Sequence, residues 1–583
     1  MRKKWIAVAL SISMLSCILM TGCTQQTDNL EEDVRESVVE NTDKESEEQE
    51  ESTKATGEII VESPMEAANR GELNVIDDNY RTYYEVFVYS FYDSDGNGVG
   101  DIQGLTQKLD YINDGDDTTR DDLGFNGIWL MPIMPSTTYH KYDVTDYCDI
   151  DPEYGTLDDF KVLVEECHNR DVNVIIDFVM NHTSSKHEWF VAACEYLKEL
   201  GEKEPSENEC PYFGYYNFTK EKQADYYYNV PGTDWYYEGK FWSEMPDLNL
   251  ENPALRQEFE NIVDFWLEIG VDGFRLDAAK EFYSDNTTAN VEVLSWFNDM
   301  VKSKKEDAYI VAEVWTEVDV YAKYYESGID SVFDFGFANN DGMIANVVKG
   351  MSGYNATSYG KAVASLEERF GKYNENYIDA PFYTNHDMGR SAGYYGGEYA
   401  EAQIKMSAAL NLFMNGSAFV YYGEELGMKG AGRDENKRAP MFWETDGEAE
   451  GMCDGPKDME EVEMIYPSFE EQKEDTYSIY NFYKQAVLLR NRYPEIARGD
   501  VTYLEEVSDS KVCVLLKEYE GSKILLAFNV SKEKMVIDLS NLSIEGVEPA
   551  GLNVEGMLVT GEEAVEKGKT SLVLPGYSVA ILK

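Results

Sequence analysis

The feature of this sequence that most constrains its fold is a regular alternation of short apolar runs with helix-like stretches, starting near residue 80. Runs of this length, separated by amphipathic stretches, predict parallel strands that alternate with helices. The candidate strands are residues 84–89, 127–131, 173–177, 272–277, 309–313, 331–335, 380–384 and 418–422. Eight such units predict an α/β fold, namely a (β/α)8 TIM barrel with its helices outside.

The spacing of the candidate strands is irregular at one place, after the third strand. Asp277 and Glu313 are 36 residues apart, the length of one β/α unit, whereas Asp177 and Asp277 are 100 residues apart. We therefore expect an inserted domain at about residues 182–250, at the end of the barrel where active sites of this fold lie. The insert is rich in aromatic residues. Most of these rings are expected in its own core, although flat aromatic faces also suit the apolar faces of sugar rings.

After Pro494 the pattern changes to short strands with turn residues between them. The candidate strands are residues 512–516, 524–528, 535–539, 571–574 and 577–582. Short, closely spaced strands are typical of an all-β domain. We therefore expect a barrel domain over residues 76–494 and a C-terminal all-β sandwich domain over residues 495–583.

The start of the chain has the character of an export signal. A basic beginning precedes an apolar run over residues 5–20 and then Thr21, Gly22 and Cys23. This order is typical of a bacterial lipoprotein signal peptide, so we expect removal of residues 1–22 and lipid attachment at Cys23. A signal cut elsewhere, which would give a secreted protein, or an uncleaved anchor helix is the alternative.

An acidic stretch follows this signal. Residues 24–57 contain twelve acidic residues and no aromatic residue, and such a segment cannot bury enough apolar surface to fold. We expect residues 23–75 to be a disordered tether between a lipid anchor and the folded body. The sequence thus predicts a protein on the extracellular face of the bacterial cell membrane, attached through its lipid alone.

Net charge and cysteine spacing limit the partners. The chain carries 50 Lys and Arg residues against 111 Asp and Glu residues, a net charge of −61. Such a surface repels phosphate backbones, so we expect a neutral ligand and no nucleic acid. The cysteines are scattered without a CxxC pair, which disfavours a metal cluster. A disulfide between Cys194 and Cys210 is left open by the sequence.

Acidic side chains stand at the carboxyl ends of several candidate strands. Asp277 ends the fourth strand, Glu313 ends the fifth, and Asp387 follows the seventh. Arg275 lies two residues before Asp277, so both side chains share one face of the strand, and the guanidinium favours an ionised carboxyl. Carboxyls at neighbouring strand ends suit retaining glycoside hydrolysis, which needs them about 5–5.5 Å apart.

This chemistry gives each group a role. Asp277 is expected to attack the anomeric carbon while Glu313 protonates the leaving oxygen and then acts as a base toward water. Asp387 is expected to stabilise the positive charge of the transition state. His182 and His386 are two of only five histidines, and both can donate hydrogen bonds to sugar hydroxyls. Their spacing forms no metal triad, which disfavours metal-dependent hydrolysis.

With these segments in this order, the chain resembles the α-amylase family, glycoside hydrolase family 13, over about residues 80–583. The resemblance implies Asp277 as the nucleophile, Glu313 as the acid/base and Asp387 as the transition-state stabiliser. It further implies sugar contacts at subsite −1, made by Arg275, His182 and His386.

A second segment carries the same resemblance. Tyr142 and Asp143 match a family segment whose aromatic ring and carboxylate contact the same sugar. Lys141 stands where the family commonly has glycine. The shape of this loop is therefore not fixed by the resemblance.

An Asp/Gly-rich loop follows the first candidate strand and contains Asp93, Asp95, Asn97, Val99 and Asp101. Oxygen ligands at alternate positions with intervening glycines suit a hard cation such as Ca²⁺. A glycine stands where an EF-hand has its bidentate glutamate, so a helix–loop–helix hand is not expected. The loop is similar to the calcium loop of oligo-1,6-glucosidase-like members of the family, which implies bound Ca²⁺. An Asp/Gly-rich turn without metal is the alternative.

The position within the family is mixed. The segment from Met245 to Asn249 resembles the neopullulanase group, whereas the Asp-rich loop and the layout resemble the oligo-1,6-glucosidase group. This mixture is similar to an intermediate subfamily that includes surface α-amylases. The residues Ala278, Ala279 and Lys280 after the nucleophile resemble those of α-1,4-acting amylases, which implies that Lys280 binds substrate.

We therefore expect a monomeric, extracellular retaining hydrolase that cleaves internal α-1,4-glucosidic bonds of starch and maltooligosaccharides. Other members of the family remain as alternatives: a neopullulanase or cyclomaltodextrinase, an oligo-1,6-glucosidase or a glucanotransferase. A non-catalytic glucan-binding barrel is a further alternative, which the presence of all three carboxylates disfavours.

Overall fold

The computed structural model of the protein describes residues 63–284 and 286–583. The expected signal peptide, Cys23 and most of the expected tether lie outside the described residues. Among the described helices, none combines the length and the apolar character that a membrane span requires.

A parallel sheet forms the centre of the larger domain. Its seven strands are Thr82–Val86, Gly127–Leu130, Asn173–Phe178, Gly273–Leu276, Tyr309–Ala312, Ser331–Val332 and Ala418–Tyr421. Neighbours in space follow chain order, and the last strand pairs with the first, with Thr82 opposite Ala418. The expected (β/α)8 barrel is confirmed, and the ends of its seven regular strands fall within three residues of the predicted positions.

The seventh predicted strand, residues 380–384, is not a regular strand. Two isolated parallel bridges take its place, between Phe333 and Ala380 and between Phe382 and Phe419, and they close the barrel. Pro381 lies between the two bridged residues. Because proline has no backbone N–H to donate to the sheet, a continuous ladder cannot form there.

Side chains alternate between the inside and the outside of the barrel. Alternate residues such as Tyr83, Trp129, Ile175 and Tyr309 form one buried cluster, in which the ring of Tyr83 stacks on Phe419 at 4.9 Å. Their neighbours along the strands belong to a second, larger cluster shared with the helices. This is the period-two arrangement that fills the inside of a small barrel with side chains.

Helices cover the barrel: Ile102–Gln107, Leu109–Ile112, Leu157–His168, Pro253–Ile269, Thr287–Lys304, Val318–Tyr321, Met343–Val348, Ala356–Ala364, Leu366–Gly371, Ala400–Leu412, Asp434–Lys437, Phe469–Gln472 and Ile479–Arg492. Their ends follow local sequence signals. The helix Leu157–His168 begins with a capping box formed by Thr156 and Asp159. The helix Pro253–Ile269 has Asn252 as its N-cap and Gly270 as its C-cap.

The insert after the third strand forms a small unit of its own. It contains the helix Glu188–Leu200, the 3-10 helix Pro211–Tyr215 and a three-stranded sheet of Phe218–Thr219, Tyr236–Glu238 and Tyr227–Asn229. Several of its aromatic side chains are buried: Tyr215, Tyr216, Trp235 and Tyr237. Cys194 and Cys210 are both free thiols, so the disulfide that the sequence left open is absent.

The C-terminal domain contains two antiparallel sheets. The larger one consists of Asp500–Tyr503, Val512–Tyr519, Ser522–Asn529, Ser578–Leu582 and Val554–Leu558, and the smaller one of Met535–Asp538, Ser571–Leu574 and Glu566–Lys567. The short helix Pro494–Arg498 leads into this domain from the barrel. The expected all-β domain is confirmed.

The last part of the expected tether is folded, which corrects its predicted end at residue 75. The helix Pro64–Ala68 begins with a capping box at Ser63 and buries Met65 completely. The amide of Asn69 donates to the carbonyl of Met557 at 2.8 Å and accepts from its N–H at 2.9 Å. This segment lacks the acidic composition of residues 24–57, and its apolar Met65 side chain can therefore be buried.

Candidate active site

The predicted catalytic side chains meet at the carboxyl ends of neighbouring strands. Asp177 and Arg275 are directly opposite each other in the third and fourth strands. Asp277 follows the fourth strand, and Glu313 follows the fifth. Because the carboxyl ends of parallel strands lie at one end of a barrel, residues far apart in sequence come into contact there.

Arg275 is completely buried and binds three carboxylates. Its Nη1 atom donates to Asp177 Oδ1 at 2.9 Å and to Asp277 Oδ1 at 2.7 Å, and its Nη2 atom lies 3.0 Å from Glu313 Oε2. One guanidinium thus holds the predicted nucleophile and the predicted acid/base side by side. A pair of carboxyls held close together is what glycoside hydrolysis uses.

Glu313 is buried next to other acids, and this raises the affinity of its carboxyl for a proton. Burial raises its pKa to about 7, with the Arg275 charge opposing and the charges of Asp277 and Asp387 adding to the effect. Its Oε2 atom accepts the N–H of Ala278 at 3.0 Å. Ala278 adopts a left-handed conformation, with φ of 49°, directly after Asp277. A carboxyl with this pKa can serve as a proton donor near neutral pH.

His386 lies between carboxylates on both sides of its ring. Its Nδ1 atom is 2.5 Å from Glu85 Oε1 and its Nε2 atom is 3.3 Å from Asp387 Oδ2. Burial alone would lower its pKa, but the charges of Asp387 and Glu85 raise it to about 9. The ring is therefore an imidazolium at neutral pH.

Asp387 is held ionised by three cations. Burial alone would raise its pKa, but the charges of His386, Arg438 and Arg275 hold it well below its usual range. Arg438 donates to Asp387 Oδ1 at 3.1 Å. The Asp387 side chain is more exposed than Asp277 or Glu313, at 35% against 11% for each. A fixed negative charge at the open side of the site suits the stabilisation of positive charge on a bound sugar.

Tyr142 belongs to the same network. Its hydroxyl donates to Asp177 Oδ2 at 3.0 Å and lies 2.7 Å from His386 Nε2, and its ring stacks on that imidazole at 5.5 Å. Lys141, where the family commonly has glycine, has a left-handed φ of 64°. Its ammonium group lies 3.0 Å from Asp151. The loop keeps the conformation that favours glycine, and a buried ion pair accompanies the lysine side chain.

Asp143 does not take the position that the resemblance implied. It is completely buried, and its carboxylate accepts hydrogen bonds from the hydroxyls of Ser136, Thr137, Thr138 and Ser184. With these partners it holds the loop in shape and leaves no exposed oxygen for a sugar. The sugar contact implied for Asp143 is therefore replaced by a supporting role within the protein.

His182 and Lys280 lie where the insert meets the barrel. The ring of His182 is buried 5.3 Å from that of Phe241, and its Nε2 atom is buried without a hydrogen-bond partner in the described structure. Such an atom suits a ligand hydroxyl. Lys280 lies 3.3 Å from Glu281, which also lies 3.4 Å from Lys240 of the insert. Glu281 thus bridges two lysines at this junction.

Three large aromatic side chains, two in the insert and one shortly after Glu313, are exposed to solvent. Phe241 and Trp242 belong to the insert and are 51% and 49% exposed, and Trp315, two residues after Glu313, is 45% exposed. The Trp315 ring stacks on Phe335 at 5.1 Å, which fixes its orientation. Exposed aromatic rings offer surfaces on which sugar rings can stack.

The Asp/Gly-rich loop brings three carboxylates together. Oxygens of Asp93, Asp95 and Asp101 all lie within 4.8 Å of one another. Oxygens that bind Ca²⁺ at about 2.3–2.6 Å lie at most about 5 Å apart across the ion, so this group fits one ion. Asn97, in contrast, accepts the N–H of Val99 within the loop at 2.8 Å.

Sequence reasoning assigned no role to three residues of the site. Asp177 binds Arg275, Glu85 binds His386, and Arg438 binds Asp387. An acid inside an apolar strand, as at Asp177 and Glu85, is a signal that could have found the first two, because a buried carboxylate needs a partner. Arg438 lies in a loop and gives no such signal in the sequence.

Comparisons with known proteins agree with this site. The alpha-amylase catalytic-domain family matches residues 85–499. Alpha-amylase 3 of Dictyoglomus thermophilum is 35% identical over 86% of this chain and 92% of that protein. A probable oligo-1,6-glucosidase 2 of Bacillus subtilis is 28% identical over 78% of this chain and 90% of that protein.

A solved structure shows the same likeness. Eubacterium rectale Amy13B has a TM-score of 0.85 and 52% identity, covering 89% of this chain and 98% of that protein. The sequence match, the barrel and the three carboxylates grouped around Arg275 lead to one conclusion: this chain belongs to the alpha-amylase family of glycoside hydrolases.

Proposed function

We propose that this hydrolase cleaves internal α-1,4-glucosidic bonds of starch and maltooligosaccharides with retention of configuration, outside the cell. The observation that carries the retaining mechanism is the binding of Asp277 and Glu313 to one guanidinium, that of Arg275. Both carboxyls then reach one glycosidic bond, one as the nucleophile and the other as the proton donor.

The first step breaks the glycosidic bond. The Asp277 carboxylate attacks the anomeric carbon, the bond to the leaving oxygen breaks, and the proton of Glu313 moves to that oxygen. A pKa of about 7 leaves Glu313 protonated in much of the enzyme near neutral pH. Asp387, held ionised by His386 and Arg438, stabilises the positive charge that develops on the sugar ring.

The second step releases the sugar. Glu313, now ionised, takes a proton from a water molecule as the oxygen of that water attacks the anomeric carbon. The bond to Asp277 breaks, so the nucleophile is free and Glu313 carries its proton again. Two inversions at one carbon give the retained configuration.

The preference for internal α-1,4 bonds is supported by sequence and surface. Ala278 and Ala279 follow the nucleophile as in α-1,4-acting amylases, and two of the relatives described above are named as amylases or Amy13B. The exposed rings of Phe241, Trp242 and Trp315 suit a substrate several sugars long. The relative named as an oligo-1,6-glucosidase favours α-1,6 cleavage as the second candidate.

We infer that the Asp93 loop binds Ca²⁺. Three carboxylate oxygens of the loop fit the coordination sphere of one ion, and oxygen ligands suit this hard cation. No step of the mechanism above uses the ion, so its proposed contribution is to the stability of the loop.

We further infer that the enzyme is a monomer attached to the outer face of the membrane by lipid on Cys23. The signal-like start of the chain and the acidic residues 24–57 support this location. An enzyme held there would shorten polymers that are too large to import.

Product analysis tests the proposed specificity. Purified enzyme is incubated with amylose, pullulan, cyclodextrin and isomaltose, and the Asp277→Asn protein serves as the matched control. We expect rapid loss of amylose chain length, with the products initially in the α configuration by NMR. Cleavage of isomaltose without cleavage of amylose would identify the α-1,6 alternative, and products initially in the β configuration would exclude the retaining mechanism.

A further inference from the structure

Two segments that are distant in sequence run beside each other from the active site to the Asp93 loop. One is residues 90–98, a few residues after the end of the first barrel strand, and the other is residues 438–454. We call them the loop segment and the Arg438 segment. Five hydrogen bonds join them, and we call this set the ladder. They run from Ser90 Oγ to Arg438 O at 2.8 Å, Met441 N to Ser90 O at 2.8 Å, Trp443 Nε1 to Phe91 O at 2.6 Å, Asp93 N to Gly451 O at 3.0 Å and Asp454 N to Gly98 O at 2.8 Å.

At one end, this ladder fixes the residue that holds a catalytic carboxylate. Ser90 is completely buried, and its hydroxyl donates to the backbone carbonyl of Arg438. The side chain of Arg438 is only 4% exposed and donates to Asp387 Oδ1. The position of the Arg438 backbone therefore determines where its guanidinium meets Asp387.

In the middle, aromatic packing makes the two segments rigid. The rings of Phe91 and Trp443 meet edge to face at 5.2 Å, and both side chains are buried. Tyr111 packs on Trp443 at 4.8 Å. Because both partners are buried in close packing, a shift of one segment requires a shift of the other.

At the far end, the contact leaves no room for a side chain. Gly98 has φ of +90°, and a Cβ atom there would lie 2.3 Å from Asp454 Oδ2. The backbone of Asp454 is bonded to that of Gly98. A substitution at Gly98 therefore displaces Asp454, which lies at the opposite end of the Arg438 segment from Arg438.

We propose that the loop segment positions Arg438, and through it Asp387, so that the ladder controls the rate of bond cleavage. Ser90 and Arg438 are positioning residues in this proposal, which rests on the retaining mechanism proposed above. Asp387 acts on charge that develops in the transition state. Misplacing it therefore lowers kcat more than it weakens glucan binding.

The test compares Ser90→Ala, Gly98→Ala and Thr445→Ala with the wild-type enzyme. Thr445 is the matched control, because it lies in the Arg438 segment but donates to Glu471 and makes no bond to the loop segment. For each protein, kcat and KM are measured on a maltooligosaccharide. Melting temperature and hydrogen–deuterium exchange of residues 438–454 are measured without substrate.

We expect Ser90→Ala to lower kcat by about three- to tenfold with KM within about twofold, because a misplaced Asp387 loses transition-state stabilisation about equal to the energy of one hydrogen bond. We expect Gly98→Ala to lower kcat in the same sense and to speed exchange at residues 438–443. We expect Thr445→Ala to match the wild type in both. Since Ser90→Ala removes a single oxygen atom, it provides the test even if Gly98→Ala fails to fold.

A folded Ser90→Ala enzyme with wild-type kcat would overturn the proposal, and so would a loss confined to KM. An equal loss of kcat in Thr445→Ala would do the same, because it would show a general effect of the segment. The retaining mechanism is judged separately, from the anomeric configuration of the wild-type products. If the retaining mechanism failed, the exchange measurements would still show whether the loop segment holds residues 438–454 in place.

Discussion

The Nδ1 atom of His386 lies 2.5 Å from the Oε1 atom of Glu85, and both side chains are 1% exposed. This contact joins the first strand of the barrel to the loop that follows residues 380–384, the seventh predicted strand. It also sets the charge of the ring, since the neighbouring Asp387 and Glu85 raise the pKa of His386 to about 9. The imidazolium in turn helps to hold Asp387 ionised.

Replacing Glu85 should change the charge of the site. In Glu85→Gln, His386 loses one of its two carboxylates, so its pKa falls and the ring becomes neutral at a lower pH. We expect kcat to decline as pH rises from 6 to 9, more steeply than in the wild type. Histidine-labelled NMR can follow the ring directly, and Glu505→Gln, at an exposed surface pair, is the control. An unchanged His386 titration in Glu85→Gln would show that the Glu85 charge does not raise the pKa of His386.

The two carboxyls that act on the bond should be separable from binding. We expect Asp277→Asn and Glu313→Gln each to lower turnover by about 10²–10⁴-fold, because they remove the nucleophile and the acid/base. Glucan affinity, measured by calorimetry on the inactive proteins, should stay near that of the wild type. A variant that keeps more than a few per cent of the activity would show that its residue has another role.

The pH profile should reflect the proton of Glu313. Burial raises its pKa to about 7, so the acid form is present below that pH and lost above it. We therefore expect kcat/KM on maltooligosaccharides to fall as pH rises through about 7. An aryl maltooligoside with an acidic phenol needs no proton on its leaving group, so its kcat/KM should fall less. The same alkaline decline for both substrates would argue against Glu313 as the acid.

Calcium should stabilise the native protein. An ion that binds only the folded state adds about 2.7 kcal/mol at a hundredfold excess over its Kd, so EGTA should lower the melting temperature and Ca²⁺ should restore it. Asp93→Asn should remove this response. Asp116→Asn, in another acidic loop, should keep it. A melting temperature that EGTA leaves unchanged would mean that the Asp93 loop binds no metal.

Lipid attachment at Cys23 should decide the location of the protein. Two or more acyl chains give stable membrane anchoring, because each buried CH₂ contributes about 0.8 kcal/mol. We expect labelled fatty acid to be incorporated into the wild-type protein in the membrane fraction, and Cys23→Ser to be unlabelled. Wild-type protein found without label and entirely in the medium would indicate an ordinary secreted enzyme.

The order of the strands and helices could be predicted from the sequence, and so could the places of Asp277, Glu313 and Asp387 at or just after the ends of strands. These features are local: a short apolar run predicts a buried strand, and acids at the ends of such runs, as at Asp277 and Glu313, are predicted to lie at the ends of strands. The spacing between strands likewise revealed the insert. Pro381 shows the limit of this reasoning, because its apolar neighbours suggest a strand while its missing N–H interrupts the ladder.

The partner of each charged group, in contrast, could be read only from the folded protein. Glu85 and His386 are 301 residues apart in the chain, and Arg438 and Asp387 are 51 apart, yet each pair is in contact. Asp143 matched a sugar-binding segment but is enclosed by hydroxyl groups of the protein. Contacts of this kind form when the barrel closes, and the energy of a charge depends on its neighbours and burial in space, which the order of residues does not contain.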